Sequence, residues 1–188
     1  MLDLIIKNGK CYIDGELKDV DVAVKEGKIH QIGQISEEAK ETLNVEGQTV
    51  LPGCIDTQTH FREPGSTDTE DLHSGSRAAI AGGITSVFEM PNTNPPTSTK
   101  AEFKRKLDLA KNRMYCNYAF YFGATADNAK DLASLKDLEG CCGIKLFAGS
   151  STGNLLVAEE EDIEKVFQNS SKVVAVHSED EAILNINK

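Results

Sequence analysis

Short runs in which apolar and polar residues alternate fill the first 50 residues of the chain. These runs are Leu4 to Ile6, Val20 to Val24, Lys28 to Ile35 and Thr49 to Leu51. The turn-forming pairs Asn8-Gly9, Asp14-Gly15 and Glu26-Gly27 separate them. Alternation with a period of two residues, interrupted by such pairs, is typical of β-hairpins. Residues 1–50 therefore predict an N-terminal β-sheet segment that is part of a small β-sandwich.

From Val50 onward, apolar strand patterns alternate with amphipathic helical patterns. Strands are predicted at 50–56, 84–90, 118–123, 143–147 and 172–177, and helices at 70–81, 99–114, 127–138 and 159–168. Such alternation is typical of parallel βαβ units. A closed (β/α)8 barrel takes eight strands and about 250 residues. Residues 51–188 hold about five units, so they predict either an open sheet or an incomplete TIM-type barrel; the motifs described below favour the barrel.

Composition narrows the class of protein further. The formal net charge is −10, and nucleic-acid binding needs clustered Lys and Arg instead. A small anionic substrate stays open, because one local Arg can outweigh a distant negative average. No apolar run approaches the roughly 20 residues that span a bilayer, and the N-terminus lacks a signal-peptide layout. Five cysteines at irregular spacing favour a reducing compartment, so we expect a cytoplasmic globular protein without membrane contact.

Polar residues at the predicted strand ends suggest a metal site. Residues two apart on a strand share a face, so Asp56, Gln58 and His60 are expected to project together. His60 and His177 end the first and fifth barrel strands, and Lys145 lies in the fourth. Strand ends converge at one mouth of a barrel, and zinc takes imidazole nitrogens and anionic oxygens there. Lys145 could instead be a surface charge, although its strand is apolar.

Four ordered motifs resemble those of one enzyme family. They are Asp56-Thr-Gln-Thr-His60-Phe-Arg-Glu-Pro-Gly65, Gly82-Gly-Ile-Thr-Ser86 with Met90-Pro-Asn-Thr-Asn-Pro95, Gly143-Ile-Lys-Leu-Phe-Ala-Gly-Ser-Ser-Thr-Gly153 and Val176-His-Ser-Glu-Asp180. This order and spacing resemble the N-terminal portion of dihydroorotases, which are cyclic amidohydrolases of the amidohydrolase superfamily. The Phe-Arg-Glu-Pro-Gly element favours dihydroorotase over allantoinase or dihydropyrimidinase, whose substrates lack a carboxylate for the Arg to bind.

The resemblance implies roles for particular residues. His60, Lys145 and His177 would hold one or two zinc ions, with Lys145 at the position of a carboxylated lysine. Gln58 stands where the family has its first histidine, and an amide oxygen is a poorer zinc ligand than imidazole. Arg62 and Asn92 would hold the substrate, since a guanidinium binds a carboxylate bidentately. The family's general-base Asp is expected beyond residue 188, so no catalytic base is assigned.

The implied function is reversible interconversion of dihydroorotate and N-carbamoyl-L-aspartate in pyrimidine biosynthesis. The alternative is a non-catalytic dihydroorotase-like module or degenerate remnant, with a second copy or aspartate transcarbamoylase as its partner. At the residue level, Arg62 could instead pair with Glu63 or Asp68. A partial barrel is also expected to expose a sheet edge.

Overall fold

A computed structural model of the chain describes residues 1–151 and 153–187. Thr152, which belongs to the quoted 143–153 motif, lies outside the described residues. The chain divides into two compact units, Met1–Pro52 and Gly53–Lys188. The sequence places this division two residues earlier, between residues 50 and 51.

The first unit contains seven strands in two sheets. They are β1 (Leu2–Lys7), β2 (Lys10–Ile13), β3 (Glu16–Asp19), β4 (Asp21–Lys25), β5 (Lys28–Gly33), β6 (Ala39–Asn44) and β7 (Thr49–Val50). The sheet orders are β5-β4-β1-β6 and β3-β2-β7. Asp14-Gly15 and Glu26-Gly27 both have positive φ at their two positions, as two-residue type I′ hairpins require. These turns therefore explain the β2–β3 and β4–β5 pairings.

The second unit is built on one parallel sheet. Its strands are β8 (Cys54–Thr59), β9 (Ile84–Glu89), β10 (Asn117–Gly123), β11 (Cys141–Phe147) and β12 (Val174–His177). Each strand pairs with the next one along the chain, in the order β12-β11-β10-β9-β8. The helices are α1 (Leu72–Ala81), α2 (Lys100–Ala110), α3 (Glu160–Asn169) and α4 (Glu181–Ile186), with a 3₁₀ helix at Ala129–Leu135. The predicted α/β class and partial TIM-type barrel are confirmed.

The helices pack on one face of this sheet and form the main core. Val87, Phe120 and Ile144 from the strands are fully buried against helical residues such as Phe103 and Leu132. The opposite face carries Phe88 and Tyr121, whose rings meet edge to face with centroids 6.5 Å apart. Alternation along each strand therefore gives the sheet an apolar helix-facing side and an inner side that carries the site residues.

Helix boundaries depart from the predicted ones for local reasons. The first helix begins at Leu72 instead of residue 70, because the Asp71 side chain caps it by accepting a hydrogen bond from the Ser74 amide at 2.6 Å. The second ends at Ala110 instead of 114, and Asn112 just beyond it has a φ of 60°. The predicted 127–138 helix is the shorter 3₁₀ helix. No helix in the described part of the chain has the length and apolarity to cross a membrane.

Candidate functional site

Strand β8 ends in an irregularity that shapes the site. Asp56 pairs with Val87, but Thr59 pairs with Glu89, so three residues advance on β8 against two on β9. Such a bulge re-aims the following side chains. The bulge interrupts the regular two-residue period on which the predicted common face of Asp56, Gln58 and His60 depends. The exposed Gln58 donates its backbone amide to Asp56 Oδ1 at 2.9 Å.

His60 follows the bulge and contacts Asn92 from the loop after β9. His60 Nδ1 lies 2.9 Å from Asn92 Oδ1. Since an amide oxygen only accepts, Nδ1 carries the proton and Nε2 keeps its lone pair. Burial lowers the pKa of His60, and the positive charges of Arg62 and Lys145 lower it further, against the opposing effect of the Asn92 contact. The lowered pKa and the Asn92 contact therefore favour a neutral His60 whose Nε2 can bind a cation.

Arg62 opens onto a cleft between the loops that follow β8 and β9. The cleft has a volume of about 360 Å³, and its walls include Ser66, Asn92 and Asn94. The Asn94 amide donates to the Pro64 carbonyl at 3.0 Å, which holds the two loops together. One exposed guanidinium and several amide groups therefore face the same small space.

Glu63, the next residue in the chain, forms an ion pair with Arg113. Its buried carboxylate receives Arg113 Nη1 at 2.7 Å and Nη2 at 3.0 Å. It also accepts the Leu72 amide at 2.9 Å. The alternative in which Glu63 pairs with Arg62 was therefore wrong, and no Arg62–Asp68 ion pair forms within 1–151 and 153–187. Glu63 anchors the loop that carries Arg62.

Lys145 and His177 lie on the inner face of the sheet, on the neighbouring strands β11 and β12 at the edge far from β8. Phe147 pairs with His177 across β11 and β12, and their rings stack with centroids 6.1 Å apart. Lys145 Nζ lies 4.9 Å from the Phe147 ring centroid. Only 4% of Lys145 is exposed, which excludes the surface-charge alternative. Burial lowers the pKa of Lys145. Its amine therefore loses its proton at a lower free-energy cost than the amine of a solvated lysine.

His60 and His177 together with Lys145 could bind an ion such as zinc only if Lys145 is itself a ligand. His60 offers Nε2, whereas His177 Nε2 lies 2.5 Å from Glu179 Oε2, which leaves Nδ1 for a metal. No group of three or more His, Cys, Asp and Glu side chains suited to a metal ion occurs among the described residues. A neutral lysine can be carboxylated, and only that form would add anionic oxygens to the two imidazoles.

Comparison with known proteins defines the class. Residues 49–181 match the amidohydrolase family, and the chain belongs to that family. Family members are generally metal-dependent. The match covers the whole parallel sheet and the site residues described above.

Individual relatives carry several names. Dihydroorotase from Methanosarcina mazei is 35% identical over 96% of this chain and 40% of its own length. Allantoinase from Escherichia coli strain SMS-3-5 is 42% identical over 79% of this chain and 33% of its own. The structure of L-hydantoinase from Arthrobacter aurescens superposes with a TM-score of 0.90 at 28% identity, covering 99% of this chain and 43% of that one. These dihydroorotase and hydantoinase matches cover nearly all of this chain. They cover only about two fifths of the relatives' own length.

Two ion pairs near the site, one partly buried and one fully buried, were missed from the sequence. Arg113 is 50 residues from Glu63 in the chain, and no local pattern joins them. Lys106 does leave a signal, because it stands on the apolar face of α2 between the buried Phe103 and Ala110. Glu89, its partner, likewise ends an otherwise mostly apolar strand.

Proposed function

We propose that this chain forms the N-terminal part of a zinc-dependent cyclic amidohydrolase site that takes dihydroorotate and N-carbamoyl-L-aspartate. The observation that carries the proposal is the shared cleft of Arg62 and Asn92, with Asn92 also contacting His60. A carboxylated cyclic amide matches this arrangement, because one end needs a guanidinium and the other needs polar groups around its ring.

The chain's own residues would perform three tasks. Arg62 would hold the substrate carboxylate, and Asn92 would hydrogen-bond the neighbouring ring atoms. His60, His177 and carboxylated Lys145 would hold the metal, with Gln58 at a further ligand position. A bound zinc ion would lower the pKa of its water and polarise the amide carbonyl. The Phe147 ring, packed between Lys145 and His177, would keep both side chains on one face.

Substrate binding tests this proposal. We expect dihydroorotate to bind the purified chain at least about tenfold more tightly than dihydrouracil, which has the same ring without the carboxylate. Arg62→Met should abolish this preference, whereas Arg77→Met, an exposed arginine on α1, should preserve it. Titration calorimetry in the presence of zinc measures all six affinities, two ligands for each of the three proteins. Equal binding of the two rings by the unaltered chain would refute dihydroorotate as the substrate.

A second candidate is a non-catalytic binding module. It is favoured by the exposed amide of Gln58, because that position would supply a weaker zinc ligand than histidine. Metal analysis and a hydrolysis assay separate the two functions. Bound zinc with turnover of dihydroorotate supports the enzyme, and selective binding without turnover at saturating zinc supports the module.

A further inference from the structure

A lysine and a glutamate without a role in the proposed chemistry are fully buried beside the site. Glu89 is the last residue of β9, and Lys106 lies in the middle of α2; both are 0% exposed. Their charged groups are in direct contact. Lys106 Nζ also lies 5.1 Å from the Phe120 ring centroid, so an apolar core surrounds the pair.

Such a pair is a costly way to fill a core. Burial raises the pKa of Glu89 and lowers that of Lys106, and their mutual contact opposes both shifts. Neither carboxylate oxygen of Glu89 accepts a hydrogen bond from the described residues, so the ion pair with Lys106 is what compensates its charge. Replacing a buried ion pair by apolar residues is often neutral or stabilising. Stability alone therefore does not explain why Lys106 is buried here.

The third contact of Lys106 points to another explanation. Lys106 Nζ donates to the Met90 carbonyl at 3.0 Å. The amide of Met90 in turn donates to the Thr59 carbonyl at 2.9 Å, immediately before His60. Met90 is thus fixed on both sides at the point where β9 ends. Asn92 follows two residues later.

Further backbone bonds continue from this fixed point into the loop. The Pro91 carbonyl accepts the amides of Thr93 and Thr97, each at 2.9 Å, and Thr97 accepts the Gly123 amide at 2.9 Å. The loop is otherwise held by its own turns, by strand β10 and by the Asn94 amide, which donates to the Pro64 carbonyl. Helix α2 therefore contacts the start of the segment 90–97 through Lys106. This contact helps to fix the position of the segment relative to the sheet.

We infer that Lys106 is a positioning residue, oriented by Glu89, that fixes the loop 90–97 so that Asn92 reaches both His60 and the cleft. This role rests on the proposed function only for its consequence in substrate binding. Lys106 touches no proposed substrate or metal group, so it acts through the Met90 carbonyl. Glu89 holds the ammonium group in place through their ion pair.

Hydrogen exchange measured by mass spectrometry tests the inference without requiring activity. Lys106→Met removes the anchor but leaves Glu89 buried without a cation. The double variant Glu89→Gln with Lys106→Met removes both charges and keeps the core filled. We expect amides in the segment 90–97 to exchange about tenfold faster in the double variant, as loss of one hydrogen bond allows, while α1, β10 and β11 remain protected. Lys104→Met is the matched control, since Lys104 is an exposed lysine of the same helix.

Dihydroorotate binding supplies the second measurement. The double variant should lose about as much affinity as Asn92→Ala, and Lys104→Met should lose none. If the unaltered chain does not bind dihydroorotate, the proposed function fails, and the exchange result still decides the role of Lys106. Unchanged exchange at 90–97, equally faster exchange everywhere, or failure of the double variant to fold would each overturn the inference and leave the pair a part of the core only.

Discussion

Arg62 and Arg113 carry the same guanidinium and differ in what surrounds them. Arg113 reaches the buried Glu63 with two hydrogen bonds and Asp71 at 3.5 Å. These contacts, led by the Glu63 hydrogen bonds, raise the pKa of Arg113. Arg62 instead lies at the wall of the cleft. Arg113 therefore stabilises the fold, whereas Arg62 is placed where it can bind a ligand.

Removal of Arg113 should therefore destabilise the fold. In Arg113→Met the Glu63 carboxylate keeps, among the described residues, only the Leu72 amide as a donor. Loss of a hydrogen bond to a charged group costs about 1.5–3 kcal/mol. We expect about 1.5 kcal/mol, at the low end, because 36% of the Arg113 side chain is exposed and solvent screens it. Urea unfolding measures the free energy.

Arg105→Met is the matched control for this change. Arg105 forms an exposed pair with Glu102 three residues away on α2, and such pairs contribute little. Its free energy of unfolding should change by less than about 0.5 kcal/mol. Equal effects of the two substitutions would show that Glu63 does not depend on Arg113.

The residue scale also shows what the sequence could predict of the site. His60, Arg62 and Asn92 follow strand ends within recognisable motifs, and the fold places them together. The Glu63–Arg113 pair and the anchor of Lys106 join residues 50 and 16 positions apart. Partners at such distances depend on how helices pack on the sheet, which no local pattern encodes. The bulge in β8 was missed for the same reason, since register is set between strands.

At the scale of elements, the sequence predicted each of the five strands of the parallel sheet but missed β2, β3, β6 and α4, and it misplaced the ends of the helices. The segment 127–138 was predicted as an α-helix, but its buried residues are Ala129, Leu132 and Leu135. This spacing of three matches the three residues per turn of a 3₁₀ helix. Asn128, just before it, is held by the Thr125 hydroxyl and donates to two carbonyls. The period was therefore visible in the sequence, whereas the role of Asn128 was not.

Helix α2 provides a test of capping. Its N-cap, Thr99, accepts the Glu102 amide on Oγ1 at 3.1 Å. Thr99→Ala should lower the free energy of unfolding by about 1 kcal/mol. Glu159 occupies the N-cap of α3 without a side-chain hydrogen bond to the helix. Glu159→Ala should then cost less than about 0.5 kcal/mol, and thermal unfolding of both variants compares the two caps. An equal loss in both would mean that helix propensity, and not the cap, governs these ends.

At the scale of the whole chain, the parallel sheet has two edges, β8 and β12. Ile55 on β8 is 59% exposed, and Val176 on β12 is 39% exposed. Unpaired strand edges with apolar side chains are templates for pairing with another strand. The alternation of strand and helix patterns predicts the strands of this sheet, and the open edges follow from their number and order.

We therefore expect the isolated chain to associate through the β8 edge as its concentration rises. Ile55→Lys should reduce this association, because a charge on an edge strand must be desolvated before another strand can pair. Ile80→Lys, which changes a 43% exposed residue of α1 in the same unit, is the matched control. Both variants alter the net charge of −10 by one unit, so general repulsion changes equally. Sedimentation velocity over a concentration series should show a smaller associated fraction for Ile55→Lys alone. A fully monomeric parent chain, or an equal reduction by Ile80→Lys, would mean that β8 is not the associating surface.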